Sequence, residues 1–152
     1  MDRSHVKNIL NKRLEEYMLE AEEDLKLTDA NLKEKSLLRS SMAAKWLRYN
    51  YEENAYKKVL LNQIEALKDQ VKQQLYNQKK NGIVNQSAAL DKLISLDVEK
   101  MLVTDPNYKK LKSALSIQED IIRLIIEVQK IIGMFGYDIS NSRGVIQLEQ
   151  II

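Results

Sequence analysis

Apolar residues in the first part of the chain return at intervals of three and four: Val6, Ile9, Leu10, Leu14, Tyr17, Met18, Ala21 and Leu25. That spacing gathers them on one side of a helix, so an amphipathic helix is predicted, with Ser4 placed to cap it and an end near Leu27. Thr28 and Asp29 offer a fresh N-cap. No Gly or Pro then interrupts the chain until Gly82, which predicts a second helix of roughly fifty residues. Its apolar line, Tyr56, Leu60, Ile64, Leu67, Val71 and Leu75, steps by 4, 4, 3, 4 and 4, as a helix packed along its length requires.

Asn81-Gly82 breaks the pattern, residues 83–86 read as a loop, and Ser87 can cap a shorter helix carrying Leu90, Leu93, Ile94, Val98, Met101 and Leu102. Thr104-Asp105-Pro106 is a stop-and-start signal: Asp105 can cap, and Pro106 fits the first helical position, where its missing N–H costs nothing. In the last long helix Ile117, Ile121, Leu124, Val128, Ile131 and Phe135 repeat at 4, 3, 4, 3, 4, a coiled-coil-like seam. Ile122, Ile125, Ile126 and Ile132 form a second stripe beside it. Two adjacent stripes imply burial against more than one neighbour, and the 117–135 seam is the expected oligomerisation surface. Gly133 and Gly136 would allow close backbone approach, and Gly144 resembles a C-cap. Leu148, Ile151 and Ile152 leave an apolar tail.

The fold class expected is therefore all-α, built from long amphipathic helices with coiled-coil-like packing. The 152 residues, 44% hydrophobic and 30% charged, with only 4 Gly and 1 Pro, suit one helical domain made of an N-terminal part, 1–80, and a C-terminal part, 87–152. With no Cys there is no disulfide, thiolate metal site or cysteine nucleophile. The start of the chain lacks the apolar core of a signal peptide, so secretion is not expected. The 117–135 stretch carries Glu119, Asp120, Arg123, Glu127 and Lys130, and reads as protein-buried rather than membrane-spanning. His5 is the only His, is read as incidental, and no Glu-x-x-His is present, which removes a carboxylate-histidine di-iron site. Nor is there a GxxxxGK or GxGxxG phosphate loop. A two-carboxylate hydrolase is not removed by counting, but no enzyme, cofactor or metal is expected.

Charge is uneven along the chain. Residues 31–80 hold eleven bases against five acids, a net of +6, whereas residues 1–30 hold eight acids against five bases, a net of −3. A basic middle beside an acidic start suggests a polyanion-binding element next to a protein-contact or counter-charged one. With Lys57 at zero, Lys68 lies near 20°, Lys79 near 40° and Lys72 near 60°, while Ile64, Leu67 and Val71 lie between about 280° and 340°. Lys58, Tyr76 and Lys80 lie further round the same side, and Arg48 at its margin. Cations for phosphates and a ring for stacking are what sequence-independent single-strand binding uses; the same lysines equally describe a solvated face with snorkelling side chains. Trp46, Tyr49 and Tyr51 could also stack bases, but Trp46 is assigned to packing. Arg143 fits contact with DNA or another subunit, or interaction with the helix dipole.

Three segments, in order, resemble the UvsY family of recombination mediators of T-even-like bacteriophages. They are 24–47, DLKLTDANLKEKSLLRSSMAAKWL, with its Lys45-Trp46-Leu47; 64–76, IEALKDQVKQQLY; and a strongly apolar C-terminal helix leading into Ser142-Arg143-Gly144. With the 101–105 junction they span most of the chain after Asp24. One departure concerns the basic helix: the family places two cations two residues apart, whereas here Lys72 is followed by Gln73 and Gln74, with Lys79 and Lys80 to compensate. The resemblance implies a non-enzymatic mediator, working in the cytoplasm of the infected bacterial host, that binds single-stranded DNA. It implies partnership with the phage recombinase and the phage single-strand DNA-binding protein, and a ring-like homo-oligomer, hexamer or heptamer. The competing reading is a structural coiled-coil adaptor with no nucleic-acid role, whose basic helix binds an acidic partner.

Overall fold

The computed structural model describes the backbone of residues 3–28, 30–80 and 88–151, and the side chains of 5–28, 30–77 and 94–135. Four helices account for nearly all of it: α1 (Arg3–Leu25), α2 (Leu32–Lys80), α3 (Ala88–Thr104) and α4 (Pro106–Ile151). A chain this poor in Gly and Pro has little to end a helix with. α1 begins at Arg3, so Ser4 does not hold the N-cap, and it ends at Leu25. Asn31 shapes the following turn: its Oδ1 accepts from Thr28 N at 2.7 Å, its Nδ2 donates to Lys26 O at 3.1 Å, and its carbonyl accepts from Lys35 N at 2.9 Å. Asn31 thus sits at the N-cap of α2, in place of the Thr28 expected from sequence; Asp29, the other expected cap, lies outside the described residues.

Cross-helix contacts give the directions. Asp24 meets Lys45, Glu20 meets Tyr49, Tyr17 meets Glu53 and Arg13 meets Tyr56, so α1 and α2 are antiparallel. Arg39 reaches Ile132, Asn50 reaches Gln129 and Glu53 reaches Gln118, so α4 is antiparallel to α2 as well. α3 packs on the later part of α2, and Asp105 alone separates α3 from α4. The Asp105 side chain caps α4 as expected, accepting from Asn107 N at 2.7 Å and Tyr108 N at 3.3 Å. At 1.5 Å per residue the 49 residues of α2 span about 74 Å, long enough to carry two successive apolar cores.

The first core joins Leu10, Tyr17 and Ala21 of α1, Met42 and Trp46 of α2, and Ala114, Ile121, Ile125, Val128, Ile132 and Phe135 of α4. The second joins Val71 and Leu75 of α2 to Ile94, Val98 and Leu102 of α3, with Tyr108 of α4 against it. Each fully buried aliphatic side chain contributes roughly 1.5–3 kcal/mol, so Ile121, Ile125 and Val128 are central to the fold. The 117–135 seam, expected to be an oligomerisation surface, is largely covered within the chain. Ile121, Val128 and Phe135 are buried, and Ile117 and Leu124 partly so, by α1 and α2 of the same chain; only Ile131 of that set stands exposed. Of the second stripe Ile122, Ile125 and Ile132 are buried within the chain, whereas Ile126 is exposed.

Two further expectations change. α4 runs on to Ile151, so Gly144 does not end it. A Cβ at Gly133 would meet nothing within 4 Å, so no close approach is made there within the chain. The expected loop at 83–86 and cap at Ser87 fall outside the described residues.

Candidate nucleic-acid interface

α2 carries every cation of the expected basic face, so what holds α2 in rotation decides which of them reach solvent. One fixing point is Glu53, 1% exposed, on the core side of the helix. Its Oε1 accepts from the Tyr17 hydroxyl at 3.0 Å, and its Oε2 accepts from Arg13 Nη2 at 3.1 Å and Gln118 Nε2 at 2.6 Å. Gln118 Nε2 also donates to the Glu53 carbonyl at 2.8 Å, and its Oε1 accepts from Arg13 Nη2 at 3.1 Å. Arg13 Nε lies 3.0 Å from Glu53 Oε1 but off the hydrogen-bonding axis, so this contact is Coulombic and that N–H has no acceptor. Burial pushes the Tyr17 hydroxyl well above its ordinary pKa, and the adjacent Glu53 charge pushes the same way. Three helices therefore meet at one buried carboxylate.

A second fixing point lies nearer the turn. Lys45 Nζ sits 2.6 Å from Asp24 Oδ2 and 2.8 Å from Glu20 Oε1, Trp46 Nε1 donates to Asp24 Oδ2 at 2.9 Å, and the Tyr49 hydroxyl donates to Glu20 Oε1 at 2.9 Å. Burial lowers the Lys45 pKa, but the hydrogen bonds and charges of Asp24 and Glu20 outweigh it, and the net shift is upward. Tyr49 is raised by burial and by its bond to Glu20. The Tyr17, Trp46 and Tyr49 rings pack together, with centroids 5.1–6.1 Å apart, and Trp46 is fully buried. Its assignment to packing holds. Other bases of α2 are also occupied in holding helices together: Lys35 Nζ donates to Glu23 O at 3.0 Å, and Arg39 donates to the carbonyls of Ile132 and Gly133 at 3.3 and 3.4 Å. The acidic start is thus partly the counter-charge of the basic middle.

The remaining cations divide. Lys68 and Lys72 lie on one side of α2, Lys72 exposed and Lys68 half-exposed beside Glu65 at 3.4 Å, a surface pair of little strength. Lys57 is half-buried and turned toward α4, 3.9 Å from Glu119 Oε1. Lys58 is exposed, and Arg48 is exposed with Glu52 at 3.9 Å and the Tyr49 ring at 5.8 Å. Tyr76 is half-buried against the second core, so its ring is committed to packing rather than presented to a base. The side chains of Lys79, Lys80 and Arg143 lie outside the described residues. Among the described residues Tyr51 is the most open ring, at 75% exposure, with Tyr56 also exposed beside Arg13. Sequence reasoning had grouped Tyr51 with Trp46, and only the rotation of α2 separates the two.

An open groove of about 580 Å³ lies where the cores adjoin, lined by Val6, Leu60, Leu67, Leu111 and Ala114, with Gln63, Gln70, Asn107 and Lys110 among its polar residues. These residues bring no acid-base pair together. Among the described residues no three His, Cys, Asp or Glu side chains gather as a metal site, and no helix is long and apolar enough to cross a membrane. No family model, curated protein or solved structure matches this chain.

Proposed function

We propose that the chain is a non-enzymatic recombination mediator that binds single-stranded DNA along the later half of α2 and works as a homo-oligomer. The partners are those implied by the family it resembles: a phage recombinase and a phage single-strand DNA-binding protein, in an infected bacterial host. The observation that carries the reading is a pair of solvent-facing cations, Lys68 and Lys72, one turn apart on a helix side outside both apolar cores. They lie within the 64–76 segment that resembles the family's DNA-associated helix. Lys79 and Lys80 extend the same run in sequence. Each phosphate neutralised releases counterions, and repetition of weak contacts around an oligomer multiplies them by avidity.

The test is a salt titration of oligo-dT binding. Affinity is expected to fall with salt, at a log–log slope near −0.7 for each phosphate contact. Lys68→Ala with Lys72→Ala should make the slope shallower and weaken all sequences about equally. Wild-type affinity and slope in the double variant would remove this face from consideration. The second reading, a helical adaptor without nucleic acid, is favoured by the apolar residues on the outside of α2, Leu37, Leu47 and Tyr51. Absence of any salt-dependent binding to oligo-dT would select it.

A further inference from the structure

We infer that the chain self-associates head to tail, the acidic outer face of α1 in one copy seating on the basic outer face of α2 in the next. The inference rests on the homo-oligomer part of the proposed function and assigns its contact surfaces.

The α1 face centres on Leu19, 67% exposed. Its four neighbours on the helix surface, three and four residues away on either side, are Glu15, Glu16, Glu22 and Glu23. All four are exposed, and none of their carboxylates is in an ion pair. Lys12 and Lys26 stand one turn from these glutamates on the same side without an ion pair to them, so four glutamates against two lysines leave the face net negative. An apolar knob ringed by a net excess of carboxylates selects a partner surface that is apolar and cationic.

α2 presents such a surface on the side away from its core. Leu37, Leu47 and Tyr51 are exposed there at 73%, 52% and 75%. Lys33, Arg48 and Lys58 share their side, all six falling within about 100° of arc and opposite Trp46 and Glu53. Leu37, Ala44 and Tyr51 follow one another at seven-residue intervals, the repeat of a helix seam that meets another helix. Lys33 and Lys58 make no ion pair, and Arg48 has only its distant Glu52. Arg48 and Lys58 are margins of the expected basic face; Arg48 turns away from Lys68, and Lys58 lies about 40° round the helix from Lys72.

The two faces cannot meet within one molecule, because α1 and α2 pack core side to core side and both faces point outward. They are complementary in sign and in apolar content, so the occupant the structure offers for each is the other face on a second copy. Two different patches in contact form a heterologous interface, which closes into a ring or continues as a filament. Such an interface also accounts for an apolar residue as large as Tyr51 at the surface.

The experiment is sedimentation of the full chain and two charge-reversal variants, Glu15→Lys with Glu22→Lys on α1, and Arg48→Glu with Lys58→Glu on α2. Wild type should associate, more weakly as salt rises. Each variant alone should associate at least about tenfold more weakly, from loss of charge complementarity. Mixed in equal amounts they should reassemble, because the basic α1 of one meets the acidic α2 of the other and both native faces still have a mate. A monomeric wild type, variants that associate like wild type, or a mixture no better than its parts would each overturn the inference. Helicity checks that the variants fold; if a reversal unfolds the chain, Leu19→Gln and Tyr51→Gln replace it and must also weaken association. Oligo-dT binding keeps the two proposals apart. Assembly without DNA binding leaves this interface standing and removes the strand path, whereas DNA binding by a persistent monomer does the reverse.

Discussion

Gln118 Nε2 donates to Glu53 Oε2 at 2.6 Å across the interface of α4 and α2, and both side chains are sealed from solvent. A buried carboxylate is tolerated only when its charge and lone pairs are met, here by Arg13, Tyr17 and Gln118 together. Removing the Glu53 carboxylate strands the Tyr17 hydroxyl and strips Arg13 of its counter-charge, while Gln118 Nε2 keeps the residue-53 carbonyl. Glu53→Ala is expected to cost about 3–5 kcal/mol, and Gln118→Leu about 1–3 kcal/mol, in urea unfolding followed by circular dichroism. The two should be strongly non-additive in a double-mutant cycle. Additive losses would mean that the two residues stabilise the fold independently.

Alkaline pH should destabilise the protein through a defined set of groups. Tyr17, Tyr49 and Lys45 all have folded-state pKa values raised above ordinary values of 10.0, 10.0 and 10.5. Each therefore holds its proton more tightly when folded. The stabilisation is complete below the ordinary value and is lost as pH rises above it, because the unfolded chain releases protons first. Thermal melts should show stability falling from about pH 10 upward, less steeply in Tyr17→Phe. An identical pH slope in wild type and Tyr17→Phe would count against the shifted hydroxyl.

The burial of the α4 seam separates two substitutions that sequence alone would treat alike. Val128→Asp places a carboxylate in the intramolecular core and should leave little cooperative unfolding transition, a loss beyond about 4 kcal/mol. Ile131→Asp, at an exposed position of the same seam, should change stability by less than about 1 kcal/mol. Native-state melts of the two variants check this. A folded, wild-type-like Val128→Asp would show that the α4 seam is not the core described.

Gly133 lies inside α4 with open space where a Cβ would stand. Gly133→Ala should therefore stabilise the chain by roughly 0.5–1 kcal/mol, since Gly in a helix interior gives up more backbone entropy and nothing opposes the added methyl. A lower melting temperature for this variant would mean that another surface packs against the glycine.

Tyr76 shows how a candidate site residue changes role once packing is known. Sequence placed it beside the lysines as a stacking ring, but it packs against the second core. Tyr76→Ala is accordingly expected to lower stability by roughly 1–3 kcal/mol, as a partly buried ring does, measured by urea unfolding. Unchanged stability with weakened oligo-dT binding would return the ring to the DNA path.

Much of the architecture was legible locally. The scarcity of Gly and Pro determined an all-helical chain, and Asp105-Pro106 determined where α4 begins, because capping and the missing proline N–H act within a few residues. The 4, 3, 4, 3, 4 spacing likewise marked Ile121, Val128 and Phe135 as covered. Periodicity reports that a face is buried and is silent on what buries it, so only the tertiary structure decided that α1 and α2 of the same chain cover that seam. The Glu53 site was invisible for a related reason: its partners stand 36, 40 and 65 residues away, and a glutamate in a helix carries no local sign of burial. The α2 lysines divided in the same way. Composition counted Lys35, Arg39 and Lys45 with Lys68 and Lys72 as one basic run, and the rotation of α2 against α1 and α4 decided which were spent on neighbouring helices and which face solvent.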